Sequence, residues 1–282
     1  MEALSKAKQK WIRSLQQKKN RDQESLFVVE GEKSVLEGIL ALSSHLEILV
    51  TLESFTSQIP SQFYSKTFTV TTKELEQISE LKTPNKCLAV FRRPETSLLP
   101  NVLSIALDGI QDPGNMGTIL RLADWFGVKQ LICSQDTVDC YNSKVIQSSM
   151  GAIYRIPVHY VDLAGFLQNS PQQKFGAMLN GKNYKKVDYP KDAILIMGNE
   201  GKGVRPEIEA LFDNHTAIRR SGILECSNGY RHFSCRDRTL NTNIYETPDL
   251  SQFITPFRIF SLFAIKKETE PTSRRQWQNQ IY

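Results

Sequence analysis

Much of what this chain could have been is excluded by what it lacks. Its five cysteines, Cys87, Cys133, Cys140, Cys226 and Cys235, form no CxxC pair and no His-paired metal pattern, so neither a disulfide framework nor a metal site is expected. No stretch approaches the roughly 20 apolar residues that span a bilayer. The opening MEALSKAKQKWIRSLQQKK lacks the apolar core of a secretory signal. A cytoplasmic protein with no membrane partner is the expectation. Internal repeats and low-complexity tracts are also missing. Charged residues make up 23% and hydrophobic residues 40%, ordinary values for a chain with a packed core, and the net charge of +5 permits a polyanionic partner without requiring one.

Two series of elements fill the chain. In the first, residues 2–20 set Leu4, Ala7, Trp11, Ile12 and Leu15 at helical spacing, with six lysines and arginines on the remaining arc, which predicts one amphipathic basic helix. SLFVVEG, LEILVTL, FTVTT and CLAVFRRP then read as strands, with helices at EKSVLEGILAL and KELEQIS. This predicts a small α/β domain over residues 1–95. RRPETSLLPN, with two prolines and few apolar anchors, supplies a linker at residues 96–102. From residue 103 a second series begins. LSIALDGI, KQLICS, RIPVHYV, KFGAMLN and AILIMGNEG are strands of the fully buried type; NMGTILRLADWFG, NSKVIQSSMGAI and RPEIEALF are helices. Such alternation predicts a parallel sheet flanked by helices.

Two segments stand out for chemistry. LDGIQDPGNMGTILRLADWFG, residues 107–127, runs from a buried strand through a Gly/Pro turn into a helix opened by Asn115 or Gly117 and carrying Arg121. Turns of this kind, at the carboxyl end of a parallel strand, are where open α/β sheets hold ligands. ILIMGNEGKGV, residues 194–204, brings a strand into Gly198, Gly201 and Gly203, with Glu200 and Lys202 between them. It has neither Walker spacing nor the GxGxxG fingerprint. Residue by residue, Asn115 could be a helix cap, Arg121 a surface arginine and Glu200 a turn residue.

Together, in this order and at this separation, the two segments resemble the first and second motifs of the SpoU (TrmH-like) RNA ribose 2′-O-methyltransferases of the knotted SPOUT class. FVVEGEKSVLEGIL is similar to the L30e-like substrate-binding domain that precedes the catalytic domain in many members. The resemblance implies a trefoil-knot α/β domain, S-adenosylmethionine as cofactor, rRNA or tRNA as partner, and a homodimer. It further implies that Asn115, Arg121 and Glu200 are catalytic, while Leu179, Gly198 and Ile218 line the methyl-donor pocket. Because a guanidinium stays protonated, Arg121 would act as a fixed cation on the developing alkoxide or the neighbouring phosphate.

The resemblance stops after Ile218. The family closes its site with a segment of the form IPxxGxxESLNVxxAxxIxLxE, whereas this chain reads RRSGILECSNGYRHFSCRDRTL, without strand or helix period. Codons for Ser221–Asn241 can be chosen that, read one base later, spell PESLNVPMATAIFLAEIVR and then a stop. A frameshift near residues 218–222, accompanied by a short deletion, is therefore expected. The methyltransferase domain spans residues 103–240 and an out-of-frame tail occupies 241–282. A chain without the third motif would bind S-adenosylmethionine weakly, which leaves a non-catalytic RNA-binding relative as the alternative function. A nucleotide- or NAD-dependent enzyme is the further alternative.

Overall fold

In the computed structural model, residues 2–178 and 181–217 are described. The basic amino terminus is not the single helix its periodicity predicts. A two-residue strand β1 (Glu2–Ala3) precedes α1 (Lys6–Ser14), the chain unwinds over 15–17, and α2 (Lys18–Glu24) follows. The break is held by side chains that take up the carbonyls it frees. Arg21 donates to the oxygens of Leu15 at 2.9 Å and Gln16 at 2.7 Å, and Asn20 to that of Ser14 at 2.8 Å. Orphan carbonyls at a helix end need such partners, and helical periodicity does not reveal them.

Strands β2 (Leu26–Glu30), β3 (Leu46–Leu52), β4 (Thr67–Val70) and β5 (Cys87–Arg92) join β1 in a mixed sheet of order β1-β4-β3-β5-β2. It is crossed by α3 (Glu32–Ala41) and α4 (Thr72–Ile78). Thr71 and Glu74 start α4 with a reciprocal capping box. Ile12, Leu15, Leu75 and Ile78 pack on Leu26, Ile48, Val50, Leu88 and Val90, so the apolar stripe of α1 serves this core.

The second sheet runs β9 (Lys174–Met178), β11 (Ile194–Gly198), β6 (Ser104–Asp108), β7 (Gln130–Ser134), β8 (Val158–Val161), with every pair parallel. Helices α5 (Pro113–Trp125) and α6 (Ser143–Ser149) connect β6 to β7 and β7 to β8. From β8 the chain crosses back through α7 (Leu163–Asn169), absent from the sequence reading, to β9. Right-handed crossovers running in opposite directions put their helices on opposite faces. Accordingly Leu163, Leu167 and, from α8 (Pro206–Glu209), Ile208 cover Ala106, Ile132, Ile194 and Ile196 on one face. The strand order reverses beside β6 and β11, and the loops leaving their carboxyl ends lie at that switch point. Ala177–Tyr189 and His215–Ala217 belong to a separate unit, in which β10 (Lys182–Asn183) pairs in parallel with β12 (Asn214–Ala217). The expected final knot helix falls outside the described residues.

The connecting segment between the two sheets is no loose tether. Gln130 brackets Leu99, accepting from its N–H and donating to its carbonyl, each at 2.9 Å. The sheets also meet directly. Arg21 pairs with Asp139 at 2.6 Å, with 6% and 10% of the two side chains exposed. The guanidinium of Arg93 lies 4.6 Å over the Tyr141 ring, which packs 4.8 Å from Phe27. At the far end of α6, the hydroxyl of Tyr154 donates to Ser34 O at 2.9 Å and Arg155 bridges Glu37 and Asp124 at 2.7 Å each.

Candidate active site

The first motif is built by its capping chemistry. Asp112, not Asn115 or Gly117, opens α5: its Oδ1 accepts from Asn115 N at 2.7 Å, and Pro113 occupies the first helical position, where a missing N–H costs nothing. Asn115 is thereby fixed in the first turn with its side chain toward the second motif. Its Nδ2 donates to Glu200 Oε1 at 2.9 Å, while the main-chain N–H groups of Gln111 and Asp112 approach the same carboxylate at 3.4 Å each. Two segments 85 positions apart in sequence thus converge on one carboxylate at the switch point.

The second motif is a tight turn organised by a residue the sequence reading passed over. Asn199 exchanges main-chain hydrogen bonds with Gly203 at 2.9 Å each, its Oδ1 accepts from Gly201 N and Lys202 N at 2.9 and 3.0 Å, and its Nδ2 donates to Gly109 O at 2.7 Å. Asp108, 1% exposed at the end of β6, closes the loop from below. Its carboxylate accepts from Arg205 N at 2.8 Å and Arg205 Nε at 2.7 Å. That hydrogen bond holds the Arg205 guanidinium above its ordinary pKa. Asp136, in the loop after β7, joins the network: Ser134 Oγ donates to it at 2.6 Å, the main cause of its lowered pKa, and the same hydroxyl accepts from Gly109 N at 2.9 Å. Neither Asn199 nor the Asp108–Arg205 pair belongs to a spacing pattern, although the NEG sequence beginning at Asn199 is a turn signal.

The six residues singled out by sequence divide four ways, with Gly198 in a class of its own. Asn115 and Glu200 are in contact. Arg121 lies further along α5, exposed, and makes no hydrogen bond or ion pair with any described residue. Leu179 and Ile218 fall outside the described residues.

Gly198 sits where only glycine fits. A Cβ there would stand 2.3 Å from both Gly203 C and Val204 N, main-chain atoms that cannot rotate away. Gly203, at φ +76°, and Gly201 show bare main chain on the other side, with nothing within 4 Å of a Cβ at Gly203 and only Asn199 Oδ1 at 3.6 Å from one at Gly201. Such an open Gly edge fits a flat adenine-bearing cofactor. Gly198→Ala is expected to open the Asn199–Gly203 bridge, costing about 1–3 kcal/mol of stability. Methyl-donor binding should weaken at least tenfold, as read by calorimetric titration with S-adenosylhomocysteine in a chain that carries the third motif.

Cys133 and Cys140 are core residues, as expected: both are buried, and burial pushes the Cys140 thiol up to about 12. Burial also lowers the half-buried His159 imidazole. Among the described residues, no group of His, Cys, Asp and Glu could hold a metal ion, and no helix is long and apolar enough to cross a membrane.

A parallel sheet carrying an Asn–carboxylate contact and an open Gly-rich turn at its switch point defines an α/β ligand-binding site, and the comparisons with known proteins identify its family. The SpoU rRNA Methylase family matches residues 102–228, and the MRM3-like substrate binding domain matches residues 6–89. The chain is 31% identical over 210 residues to the 23S rRNA (guanosine(2553)-2′-O)-methyltransferase RlmP of Bacillus subtilis, covering 72% of this chain and 84% of that protein. Among solved structures, a TrmH-family RNA methyltransferase from Porphyromonas gingivalis superposes with a TM-score of 0.70 at 33% identity, over 78% of this chain and 90% of that one. The S-adenosylmethionine-bound rRNA methyltransferase from Sinorhizobium meliloti superposes with a TM-score of 0.68 at 26% identity, over 81% and 91%. This chain belongs to the SpoU rRNA methylase family. The reaction of that family is S-adenosylmethionine-dependent methylation of a ribose 2′-hydroxyl in RNA.

Proposed function

We propose that Asn115, Arg121 and Glu200 carry this reaction on ribosomal RNA, and that the written ending after Ile218 disables it. The observation that supports the assignment of roles is the Asn115–Glu200 contact. Because Nδ2 of Asn115 is committed to Glu200, its Oδ1 is left as the acceptor, suited to take the hydrogen of the ribose 2′-hydroxyl and aim an oxygen lone pair. Glu200, already accepting that amide, positions Asn115 and does not itself need to reach substrate. Arg121, which forms no ion pair with a described residue, supplies the cation for the alkoxide charge that grows on O2′. S-adenosylmethionine, when bound, supplies the methyl group and a neutral thioether as leaving group, and the Gly198–Gly203 turn would hold it. Glu200→Gln, in a chain carrying the third motif, is expected to lower kcat by about tenfold to a hundredfold through misplacement of Asn115. RNA affinity should stay unchanged; an unaltered kcat would remove Glu200 from the site.

The frameshift reading is supported by where family likeness runs out. The family match ends at residue 228, ten residues past Ile218 and before the end of Ser221–Asn241, the segment whose alternative frame spells the missing motif. Homodimerisation belongs to the same proposal. Trp125 is 83% exposed at the end of α5, and Thr118, Leu122 and Trp125 share one outward stripe of that helix. Lone apolar residues on surfaces are ordinary, but an exposed indole on the site helix suits a subunit contact. In the repaired chain, Trp125→Glu is expected to convert a dimer to a monomer by light scattering. A cytoplasmic setting also accords with Cys87, Cys133 and Cys140, which are buried free thiols.

A further inference from the structure

We infer that the helical pair α1–α2 is an RNA phosphate ramp, clamped at the mouth of the catalytic site by the Arg21–Asp139 ion pair. The inference rests on RNA being the substrate. Residues 4–21 contain seven lysines and arginines and no acidic residue. In isolation that is a solvated helix face. Its placement changes the reading.

Asp139 belongs to the loop that leaves the carboxyl end of β7, the edge of the sheet that also carries Asn115 and Glu200. The same loop is wired to the site. The amide of Gln111 donates to Asp136 O, Thr137 Oγ1 donates to Leu107 O at 3.3 Å, and Val138 N donates to Ile110 O at 2.8 Å. The other anchors of the amino-terminal sheet, Ser34 and Glu37 on α3, meet Tyr154 and Arg155 just ahead of β8, at the sheet's amino edge. The amino-terminal sheet is therefore fixed along α6 with one end toward the site, and that end is α1–α2. Arg21 is consumed by this docking: it holds α2 to Asp139 and caps the end of α1 through Leu15 and Gln16.

The cations left over point to solvent. Lys10 and Arg13 share one face of α1 with Lys6, which pairs with Glu74 at 3.4 Å, and Lys18 flanks Arg21 on α2. Lys10 and Arg13 are exposed and form no ion pair with a described residue. Asp22, the partner of Lys18 at 2.5 Å, is held independently by Arg93 at 2.8 Å. Exposed cations, of which Lys10 and Arg13 form no ion pair with a described residue, on the same sheet edge as Asn115 and Glu200, fit a phosphate backbone entering or leaving the target ribose.

The test measures anisotropy of a fluorescein-labelled stem–loop RNA against the full chain over a range of salt. Lys10→Gln/Arg13→Gln/Lys18→Gln, which disturbs no buried contact, is expected to weaken binding by at least tenfold and to cut the salt slope by about two to three. Lys33→Gln/Lys129→Gln/Lys191→Gln, exposed positions away from the site edge, removes the same charge and should have a far smaller effect. Asp139→Ala separates docking from charge. Loss of a negative group tightens RNA binding if charge alone governs, whereas release of the ramp weakens it. Equal losses from the two triple variants, or tighter binding by a folded Asp139→Ala, overturn the ramp while leaving RNA as substrate. An unaltered chain that binds no RNA overturns both readings. The triple variants decide the matter if Asp139→Ala does not fold.

Discussion

Repairing the gene so that the codons for Ser221–Asn241 are read one base later is expected to raise kcat/KM for RNA methylation on the order of 10³-fold or more over the chain as written. The size follows from what the third motif supplies at once. By the family resemblance its turn would close the methyl-donor pocket, its serine and asparagine would join the site, and its amphipathic helix would cover apolar surface. None of these is replaced by RRSGILECSNGYRHFSCRDRTL, whose apolar residues follow neither strand nor helix spacing. The check is a pair of measurements on the two proteins, S-adenosylhomocysteine titration and methyl transfer, preceded by the nucleotide sequence of that region. Codons with no such alternative reading, or equal activity of both proteins, would sink the frameshift account. The non-catalytic RNA-binding relative would then gain ground only if both proteins were inactive.

The second large effect is at Arg121. In the repaired chain, Arg121→Ala is expected to lower kcat by about 10²–10³, the usual result of removing one group that stabilises developing oxyanion charge. The melting temperature should hardly move, because the side chain is exposed and makes no ion pair with a described residue. Arg121→Lys should recover only part of the rate, since an ammonium keeps the charge but not the bidentate fork. A wild-type kcat for Arg121→Ala would make the residue an ordinary surface arginine. A loss of rate matched by a comparable loss of stability would make it a structural one.

What could be read from the sequence was what depends on local chemistry. The buried strands announced themselves as apolar runs, and the Gly, Pro and Asn punctuation between them marked the two turns where Asn115 and Glu200 meet. Legibility failed where long-range contacts override local pattern. The break between α1 and α2 is made by Arg21 reaching back to Leu15 and Gln16 and forward to Asp139, 118 positions away, and no periodicity contains that information. Asn199 and the Asp108–Arg205 pair were passed over for the same reason: a buried carboxylate at a strand end looks like any other aspartate until the loop that covers it is known. Helix α7 was missed because DLAGFLQN is too short to establish a period. Arg121 was legible as a family position, yet its role is not written in polar contacts, since its side chain forms no hydrogen bond or ion pair with the described residues.

The most direct test of the account is methyl transfer itself. The repaired chain is incubated with tritium-labelled S-adenosylmethionine and unmodified 23S rRNA, and the RNA is digested to nucleosides and separated. The account predicts label in a single 2′-O-methylnucleoside, abolished by Asn115→Ala. Label in a base-methylated nucleoside, or none in RNA despite measurable binding of S-adenosylmethionine, would contradict it.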